Sequence, residues 1–150
     1  MEITNPYASK TILKDGAPEL KEVCQPVTKD ELDVSAIGHL CDKMFALMKE
    51  NNGVGLAAPQ VGVMYRVIVV SVDNFHGEVI NPVITKRTGA TNSIEGCLSF
   101  PGKTKKVKRA KTVVVEGEDR HGSPLKIKAR GVLACCFQHE IDHLNGRTVF

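Results

Sequence analysis

Apolar residues recur at helical spacing in two segments of this chain, one near each end. In residues 34–50 they repeat every three or four positions, which predicts an amphipathic helix. Its apolar stripe consists of Val34, Ile37, Leu40, Cys41, Met44, Phe45 and Met48. Asn51-Asn52-Gly53 follows the stripe and is typical of a helix C-terminus. The second pattern runs from Gly131 through Leu144 and stops at Asn145-Gly146, so it predicts another helix.

Between the helices, apolar and alternating runs predict β-strands. The candidates are residues 65–72, 78–84, 93–99, 111–119 and 124–130, with 147–150 as a short final strand. The first of these, YRVIVVSV, is almost continuously apolar and indicates a buried strand. The hairpin strand PLKIKAR alternates apolar with basic residues, so one face is expected to be buried and the other exposed. The sequence therefore predicts an α+β fold: mostly antiparallel sheets around a central C-terminal helix, with one N-terminal helix.

Length and composition place the chain among ordinary globular proteins. Its 150 residues are enough for one domain with a buried core, and we expect residues 1–150 to form a single domain. A composition of 42% hydrophobic and 25% charged residues argues against disordered, collagen-like and coiled-coil classes. The first thirty residues carry turn signals and predict an arm that wraps the surface. We expect neither a secretory signal nor a membrane span.

Cysteine count and charge distribution add two expectations. Five cysteines, two of them adjacent, make a poor disulfide framework and fit a reducing cytoplasm. Residues 103–130 hold ten of the twenty Lys and Arg residues but only three acids. Such a surface can touch RNA loosely. We favour the simpler interpretation, a lysine-rich strand face that keeps the protein soluble.

The second helix contains the pattern H-E-x-x-H. Its histidines, His139 and His143, are four residues apart and therefore share one helix face, where two imidazoles can bind one metal ion. Glu140 points about 100° away from His139, so it suits a general base acting on a water molecule better than a ligand. Many zinc proteases with this pattern take a third ligand from further downstream. Residues 144–150 contain no His, Cys, Asp or Glu.

A third ligand must then come from upstream. Cys135 and Cys136 lie one turn before His139 and are expected to line a pocket instead. The other candidates are Cys24 in the arm, Cys41 in a core stripe, and His76 and His121 in predicted turns. Cys97, within SIEGCLSFPG, is the candidate that remains. A Cys/His/His set leaves a fourth coordination position open, as catalytic sites require. From these residues alone, the chain could be an ordinary metalloendopeptidase or a catalytically silent metal-binding module.

Three segments resemble the motifs of the peptide deformylase family, in the family's order. They are GVGLAAPQ (53–60), EGCLS (95–99) and QHEIDHLNG (138–146). The resemblance implies that Cys97, His139 and His143 bind one divalent metal ion, with Glu140 as the catalytic acid and base. The native ion is expected to be Fe(II), and Zn(II), Ni(II) and Co(II) suit the same donors.

The resemblance also implies roles for residues around the metal. Gln60 would donate its side-chain amide to the formyl oxygen, together with the backbone N–H of Leu98, as an oxyanion hole does. The backbone of Gly55 would line the cleft, and an extended peptide could pair with this loop as an added strand. Glu95 and Arg109 would pair behind the strand that carries Cys97.

The phase of the second helix predicts a pocket for a methionine side chain. Positions three, four and seven before His139 are Cys136, Cys135 and Val132, on roughly the metal-facing side. With Val54 and Leu98 they would form an apolar slot. For Asp142 we favour a salt bridge at the surface or behind the site.

The expected activity is therefore removal of formyl groups from N-formylmethionyl nascent peptides, with release of formate. The chain resembles the compact bacterial-type class. It has four residues after Gly146, so we expect it to lack the C-terminal helical extension, as short phage-encoded forms do. We expect a cytoplasmic monomer, in the host cytoplasm if phage-encoded, that binds neither DNA nor membranes. Basic residues 103–130 would give it transient proximity to the ribosome.

Overall fold

Two helices and seven strands form an α+β fold in the part of the chain that the structure describes. The structure is a computed structural model that describes residues 11–28, 30 and 33–150. The helices are α1 (Val34–Glu50) and α2 (Gly131–Leu144). The strands are β1 (Gly55–Ala57), β2 (Val67–Val72), β3 (Phe75–Thr88), β4 (Thr91–Cys97), β5 (Phe100–Arg109), β6 (Thr112–Glu118) and β7 (Pro124–Arg130). Short 3-10 helices cover Pro18–Lys21 and Ala58–Val61. The predicted fold class is confirmed.

Helix α1 begins and ends where its sequence signals indicate. The carboxylate of Asp33 accepts hydrogen bonds from the backbone N–H groups of Ser35 (3.0 Å) and Ala36 (3.2 Å), which caps the N-terminus. At the other end, Asn52 adopts a left-handed conformation, and Gly53 N–H donates to the carbonyl of Met48 (2.9 Å). The predicted bounds of 34–50 are therefore confirmed.

The strands form one five-stranded sheet and one hairpin. The order in the larger sheet is β1-β2-β3-β6-β7, and every neighbouring pair is antiparallel. Strands β4 and β5 pair only with each other in the described part of the chain. Strand β2 is buried on both faces: Val67 and Val69 pack with α1, whereas Ile68 and Val70 pack with α2. This double burial accounts for its continuous apolar run.

Helix α2 lies on the inner face of the five-stranded sheet and contacts β1, β2, β6 and β7. Its apolar anchors, Phe137, Ile141 and Leu144, belong to the core cluster that it shares with the sheet. The guanidinium of Arg66 donates to the carbonyl of Leu144 and to the side-chain oxygen of Asn145, both at 3.0 Å. The last turn of α2 is thereby fixed to the start of β2.

The structure differs from the sequence predictions in several places: strand β1 was not predicted, and β3 extends beyond the predicted 78–84 at both ends. The predicted strand at 93–99 ends at Cys97, and a turn leads into β5, which was not predicted. Residues 147–150 form no strand, so that prediction is wrong. Instead Arg147 N–H closes α2 by donating to the carbonyl of Asp142, and the Phe150 ring packs on Phe100. The predicted arm has a 3-10 helix within residues 11–28, and its residues 1–10 lie outside the described chain.

No helix among the described residues combines the length and apolar character needed to cross a membrane.

Candidate metal centre

Three potential metal-binding side chains come together where α2 meets the end of β4. His139 and His143 project from α2, and Cys97 is the last residue of β4. One ligand atom from each lies within 4.8 Å of the others, and this is the one such group among the described residues. The Sγ of Cys97 lies 3.3 Å from Nε2 of His143. The structure therefore gathers the three residues that the sequence singled out.

The other upstream candidates for a third ligand lie elsewhere. Cys24 and Cys41 are buried in the two apolar clusters. His76 stacks on the ring of Phe45, with centroids 4.4 Å apart. His121 is exposed in the turn between β6 and β7. None of these four belongs to the metal-binding group.

The donor set fits one divalent metal ion. Ligands around a tetrahedral zinc-type ion lie about 3.5 Å from one another, which matches the spacing of Cys97 and His143. His143 is 1% exposed, and its Nδ1 has no hydrogen-bond partner in the described structure. Its other ring nitrogen, Nε2, faces Cys97 and is therefore the atom that can bind the ion. A thiolate with two imidazoles suits Fe(II), Zn(II), Co(II) or Ni(II).

A buried ion pair orients His139 from behind. The Nδ1–H of His139 donates to the carboxylate of Glu95 (2.8 Å), which leaves Nε2 free to face the centre. Arg109 donates two hydrogen bonds to the same carboxylate, at 2.9 and 2.7 Å. It also donates to Asp142, one turn along α2 from Gln138, at 2.7 Å. The predicted proximity of Glu95 and Arg109, and the salt bridge of Asp142, are both present.

The charges around the two histidines differ. Burial lowers the pKa of His139, but hydrogen bonds with Cys97 and Glu95 outweigh burial and raise it to about 10. Burial raises the pKa of Glu95, but hydrogen bonds from Arg109 and His139 outweigh it and lower it to about 2. An anionic carboxylate, that of Glu95, thus lies against His139, and such surroundings favour a cation. Burial lowers the pKa of His143 to about 3, so its imidazole is neutral, as a metal ligand must be.

Glu140 is buried beside the metal-binding group, and few groups stabilise its negative charge. It is 4% exposed, and its Oε1 has no hydrogen-bond partner in the described structure. Burial raises its pKa to about 7, which suits a group that takes and returns protons near neutral pH. A Cβ added to Gly55 would lie 2.6 Å from Oε2 of Glu140 and 2.8 Å from Sγ of Cys136. Gly55 is therefore the residue that allows backbone to approach Glu140 this closely.

Gln60 is held against the same centre. Its side-chain carbonyl accepts from the N–H of Ala57 (2.9 Å), which fixes the amide orientation. Its Nε2 donates to Oγ of Ser99 (3.0 Å) and lies 3.7 Å from Sγ of Cys97. The amide N–H groups thus point towards the metal-binding group. The predicted site residues did not include Ser99, although it belongs to the EGCLS motif. Ser99 is completely buried, and its hydroxyl accepts the hydrogen bond from Gln60, so it orients the Gln60 amide.

A cleft of about 590 Å³ opens over this centre. Its walls include all six residues predicted for substrate binding: Val54, Gly55, Leu98, Val132, Cys135 and Cys136. Val54 and Val132 are 51% and 64% exposed, so they stand at the rim instead of enclosing a slot. Cys136 is buried, and burial raises its pKa well above the ordinary value, so it presents a neutral thiol. The cleft therefore has an apolar wall along α2.

Gln138 is a further polar residue whose position the sequence reasoning missed. Its side chain accepts from the N–H of Ala110 and donates to the carbonyl of the same residue, both at 2.9 Å. Ala110 directly follows Arg109, so Gln138 ties α2 to the strand end that carries the buried cation. The sequence signal was a polar residue within an otherwise apolar helical pattern. In the structure this residue is buried.

Comparison with known proteins gives one consistent family. The polypeptide deformylase family model matches residues 9–150. A peptide deformylase from Carboxydothermus hydrogenoformans is 46% identical over 136 residues, covering 90% of this chain and 87% of that protein. One from Halothermothrix orenii is 49% identical over 137 residues, with 90% and 87% covered.

Solved structures agree with these relatives. PDF from the Vibrio parahaemolyticus bacteriophage VP16T, in complex with actinonin, is 49% identical and superposes with a TM-score of 0.88, covering 93% of this chain and 99% of that one. Peptide deformylase from Thermotoga maritima is 37% identical, with a TM-score of 0.87 and 92% of each chain covered. The chain therefore belongs to the polypeptide deformylase family of hydrolytic enzymes.

Proposed function

We propose that this chain removes the formyl group from N-formylmethionine at the start of new polypeptides and releases formate. Residues 1–150 would act as one catalytic domain with one metal ion, held by Cys97, His139 and His143. The observation that carries the proposal is the position of Glu140. It is buried, its Oε1 has no hydrogen-bond partner among the described residues, and it is adjacent to the metal-binding group in the wall of a cleft.

A divalent ion at this centre would supply Lewis-acid chemistry, lowering the pKa of a water molecule and polarising the formyl carbonyl. We propose Fe(II) as the native ion, with Zn(II), Ni(II) and Co(II) able to occupy the same donors. Glu95 and Arg109 would hold the His139 imidazole in the tautomer and orientation that binding requires.

The chain's own residues would carry the proton transfers and stabilise the charge. Glu140, with its pKa near 7, would take a proton from water and later deliver it to the leaving amine. Negative charge develops on the formyl oxygen during the attack, and Gln60 Nε2–H and the Leu98 N–H would donate to it. Ser99 and Ala57 support this role because their hydrogen bonds fix the Gln60 amide before substrate arrives.

Substrate binding would use the edge of the larger sheet. Strand β1 pairs only with β2 in the described structure, so its other edge is available beside the cleft. An extended peptide could hydrogen-bond along Gly55, with Ile94 and Gly96 of β4 on the opposite wall. The methionine side chain would then lie against Val54, Leu98, Val132, Cys135 and Cys136. We propose these as its contacts because all five line the cleft.

The test is formate release from a formyl-Met tripeptide by protein purified without oxygen and analysed for metal. We expect Cys97→Ala and Glu140→Ala to abolish release, and actinonin, which is bound in the phage relative's structure, to inhibit it. Lys49→Gln, an exposed change at the end of α1, is the control. Robust release by either active-site variant would contradict the proposal. Cleavage of unformylated casein would point to a metalloendopeptidase instead.

We further propose a cytoplasmic monomer, in a host cytoplasm if phage-encoded, that acts on nascent chains and binds neither DNA nor membranes. Of the ten basic residues at 103–130, Arg109 and Arg120 form ion pairs with described residues. The remaining eight have no ion pair within the described chain, and these charges would give transient proximity to ribosomal RNA. Salt-sensitive co-sedimentation with ribosomes tests this.

A further inference from the structure

The charged side chains that line the cleft are divided by burial. Four Lys, Asp or Glu residues belong to its walls: Lys14, Lys103, Glu95 and Glu140. Both glutamates are buried, at 8% and 4% exposure, whereas both lysines are exposed. The Glu95 carboxylate is also paired with Arg109 and His139. The charge that an entering ligand meets at the cleft surface is therefore positive.

Both lysines are attached to backbone that is fixed beside the metal centre. Lys103 lies in β5 next to Thr104, the residue that pairs with Gly96, and its carbonyl oxygen would be 3.3 Å from a Cβ on that glycine. Gly96 directly precedes Cys97. Lys103 therefore belongs to the hairpin that carries one metal ligand, Cys97.

Lys14 is held at the same side of the cleft by its two neighbours. Leu13 N–H donates to the carbonyl of Gln60 (2.7 Å), and Asp15 N–H donates to the carbonyl of Ser99 (2.9 Å). The Nζ of Lys14 donates to a backbone carbonyl at 3.2 Å, and within the described chain it forms no ion pair. Asp15 is exposed nearby but is not part of the cleft wall.

Strand β5 extends this positive surface away from the cleft. Lys105, Lys106 and Lys108 are exposed and form no ion pair with the described residues. Strand residues advance by about 3.3 Å each, so the lysines cover roughly 17 Å from Lys103 outward. A peptide leaving the cleft on this side would pass several cations and no exposed carboxylate of β5.

We propose that Lys14 and Lys103 make the cleft selective for formylated chains that carry carboxylate side chains within the first few residues after methionine. This inference rests on the proposed function. A formylated N-terminus has no charge, so the first charge that the substrate brings to the cleft comes from those following residues. Carboxylates there are attracted to the two lysines, and lysine or arginine side chains are repelled.

The effect belongs to substrate capture and not to the chemical step. Each exposed charge pair changes binding by about two- to fivefold, and salt weakens it. Interactions of this kind are the same in the ground and transition states, so they change KM and leave kcat unaltered. Acidic and basic substrates should therefore differ mainly in KM.

The test uses formyl-Met-Glu-Ala-amide and formyl-Met-Ala-Glu-amide, each with its Lys counterpart. The C-terminal amide removes the terminal carboxylate, which would otherwise add charge to every peptide. We expect kcat/KM from formate release to favour the better acidic peptide by about tenfold over its Lys counterpart at low ionic strength. The ratio should approach one at about 0.5 M salt, where charges are screened within a few ångströms.

Variants separate the rim lysines from general surface charge. Lys103→Gln and Lys14→Gln should each lower the acid-to-lysine ratio, and Lys103→Glu, which leaves opposite charges at the two positions, should bring it close to one. Lys126→Gln, in β7, is the matched control, because it removes the same exposed charge at a residue outside the cleft walls and should keep the ratio.

Formate release with a ratio near one, or a ratio that Lys103→Glu leaves unchanged, would overturn this inference while the proposed function stands. No release from any of the four peptides would remove the proposed function, and the inference with it.

Discussion

The two helices have the same apolar periodicity, but their buried faces differ in chemistry. In α1 every buried residue is apolar or glycine: Ala36, Ile37, Gly38, Leu40, Cys41, Met44, Leu47 and Met48. In α2 the buried set includes Gln138, Glu140 and His143 among apolar anchors. Burying such groups costs free energy unless they are hydrogen-bonded or bind a ligand. Helix α1 therefore contributes stability, whereas α2 gives up some stability to hold reactive groups.

The partners of the polar residues separate structural from chemical roles. Gln138 uses both ends of its amide in hydrogen bonds, so it fastens α2 to the strand end at Ala110. Glu140 Oε1 and His143 Nδ1 are the buried side-chain atoms left without partners in the described structure. Unsatisfied buried groups in a native protein call for a functional explanation. Both atoms belong to residues of the metal centre, where His143 faces Cys97 with its other ring nitrogen, Nε2.

The largest effect is expected from Glu140→Gln, which keeps the shape of the side chain but removes its capacity to accept a proton. The rate of formate release should fall by about 10²- to 10⁴-fold, the usual contribution of a general acid–base group. The free energy of unfolding should change by less than about 1 kcal/mol, because no strong partner of the carboxylate is lost. Steady-state assays and urea unfolding measure the two quantities.

Metal content, measured by mass spectrometry, is the control for this variant, because Glu140 is not a proposed ligand. If the variant keeps more than a tenth of the activity, the buried Glu140 of α2 is not the essential proton acceptor, and the proposed chemical difference between α2 and α1 is wrong. A large loss of stability would give Glu140 a structural role.

Two arginines attach the two helices to the sheets, and they test the comparison directly. Arg109, 8% exposed, joins α2 to Glu95, and Arg120, 24% exposed, joins Asp42 of α1 to Glu78. Arg109→Met should cost about 3–5 kcal/mol, because it leaves a buried carboxylate unpaired. Arg120→Met should cost about 1 kcal/mol or less, because water replaces much of its pairing. Urea unfolding of both variants gives the two values.

Metal affinity distinguishes the arginines further. Loss of Arg109 should also weaken metal binding about 10- to 100-fold, as expected when the group that orients a ligating histidine is disturbed. The Arg120 variant should bind metal normally. Equal losses of stability in both variants would mean that burial does not distinguish the two attachments.

The sequence predicted both helices because their signals are local. The end signals at Asn51-Asn52-Gly53 and Asn145-Gly146 fix the C-termini without reference to the rest of the fold. Strand β5 was missed because six consecutive residues, Pro101–Lys106, are exposed and show no alternation. Only its pairing with β4 keeps it extended. The strand predicted at 147–150 pairs with no other strand among the described residues.

The residues of the site differ in how far the sequence alone could predict their positions. His139, Glu140 and His143 lie within five residues, so helix geometry alone places them together. Cys97 is more than forty residues upstream and was reached by elimination and by the family resemblance. The roles of Ser99 and Gln138 depend on contacts 39 and 28 residues away, which no local pattern contains. The exposure of Val54 and Val132 likewise follows from how α2 meets the sheet.

Helix α1 buries one ionisable group, the Cys41 thiol, and keeps it neutral. Burial, aided by the charge of Glu78, raises its pKa from 9.0 to about 12. Between pH 9 and 12 the unfolded chain therefore binds fewer protons than the folded one, so stability falls as pH rises. The free energy of unfolding should lose about 1.4 kcal/mol per pH unit from this thiol. Urea unfolding from pH 8 upward measures the slope.

Cys41→Ala is the matching variant, since it removes the titrating group and leaves Cys24 and Cys136, whose pKa values burial also raises, as the remaining contributions of this kind among the described residues. Its stability should fall less steeply with pH than that of the parent chain, whatever the offset from the smaller side chain. If the free energies of unfolding of the parent chain and the variant fall with the same slope against pH, Cys41 ionises freely in the folded protein.

The smallest effects come from removing one methylene group from each helix. Ile37 of α1 and Ile141 of α2 are 0% and 6% exposed and pack in the two apolar clusters. Ile37→Val and Ile141→Val should each cost about 1 kcal/mol, because the apolar parts of both helices pack in the same way. Activity should separate them. Ile141 directly follows Glu140, so a small shift of this turn should lower formate release several-fold, whereas Ile37→Val should leave the rate intact. Equal rates for the two variants would show that the position of Glu140 does not depend on tight packing of α2, and that its hydrogen-bonded polar neighbours alone hold the centre.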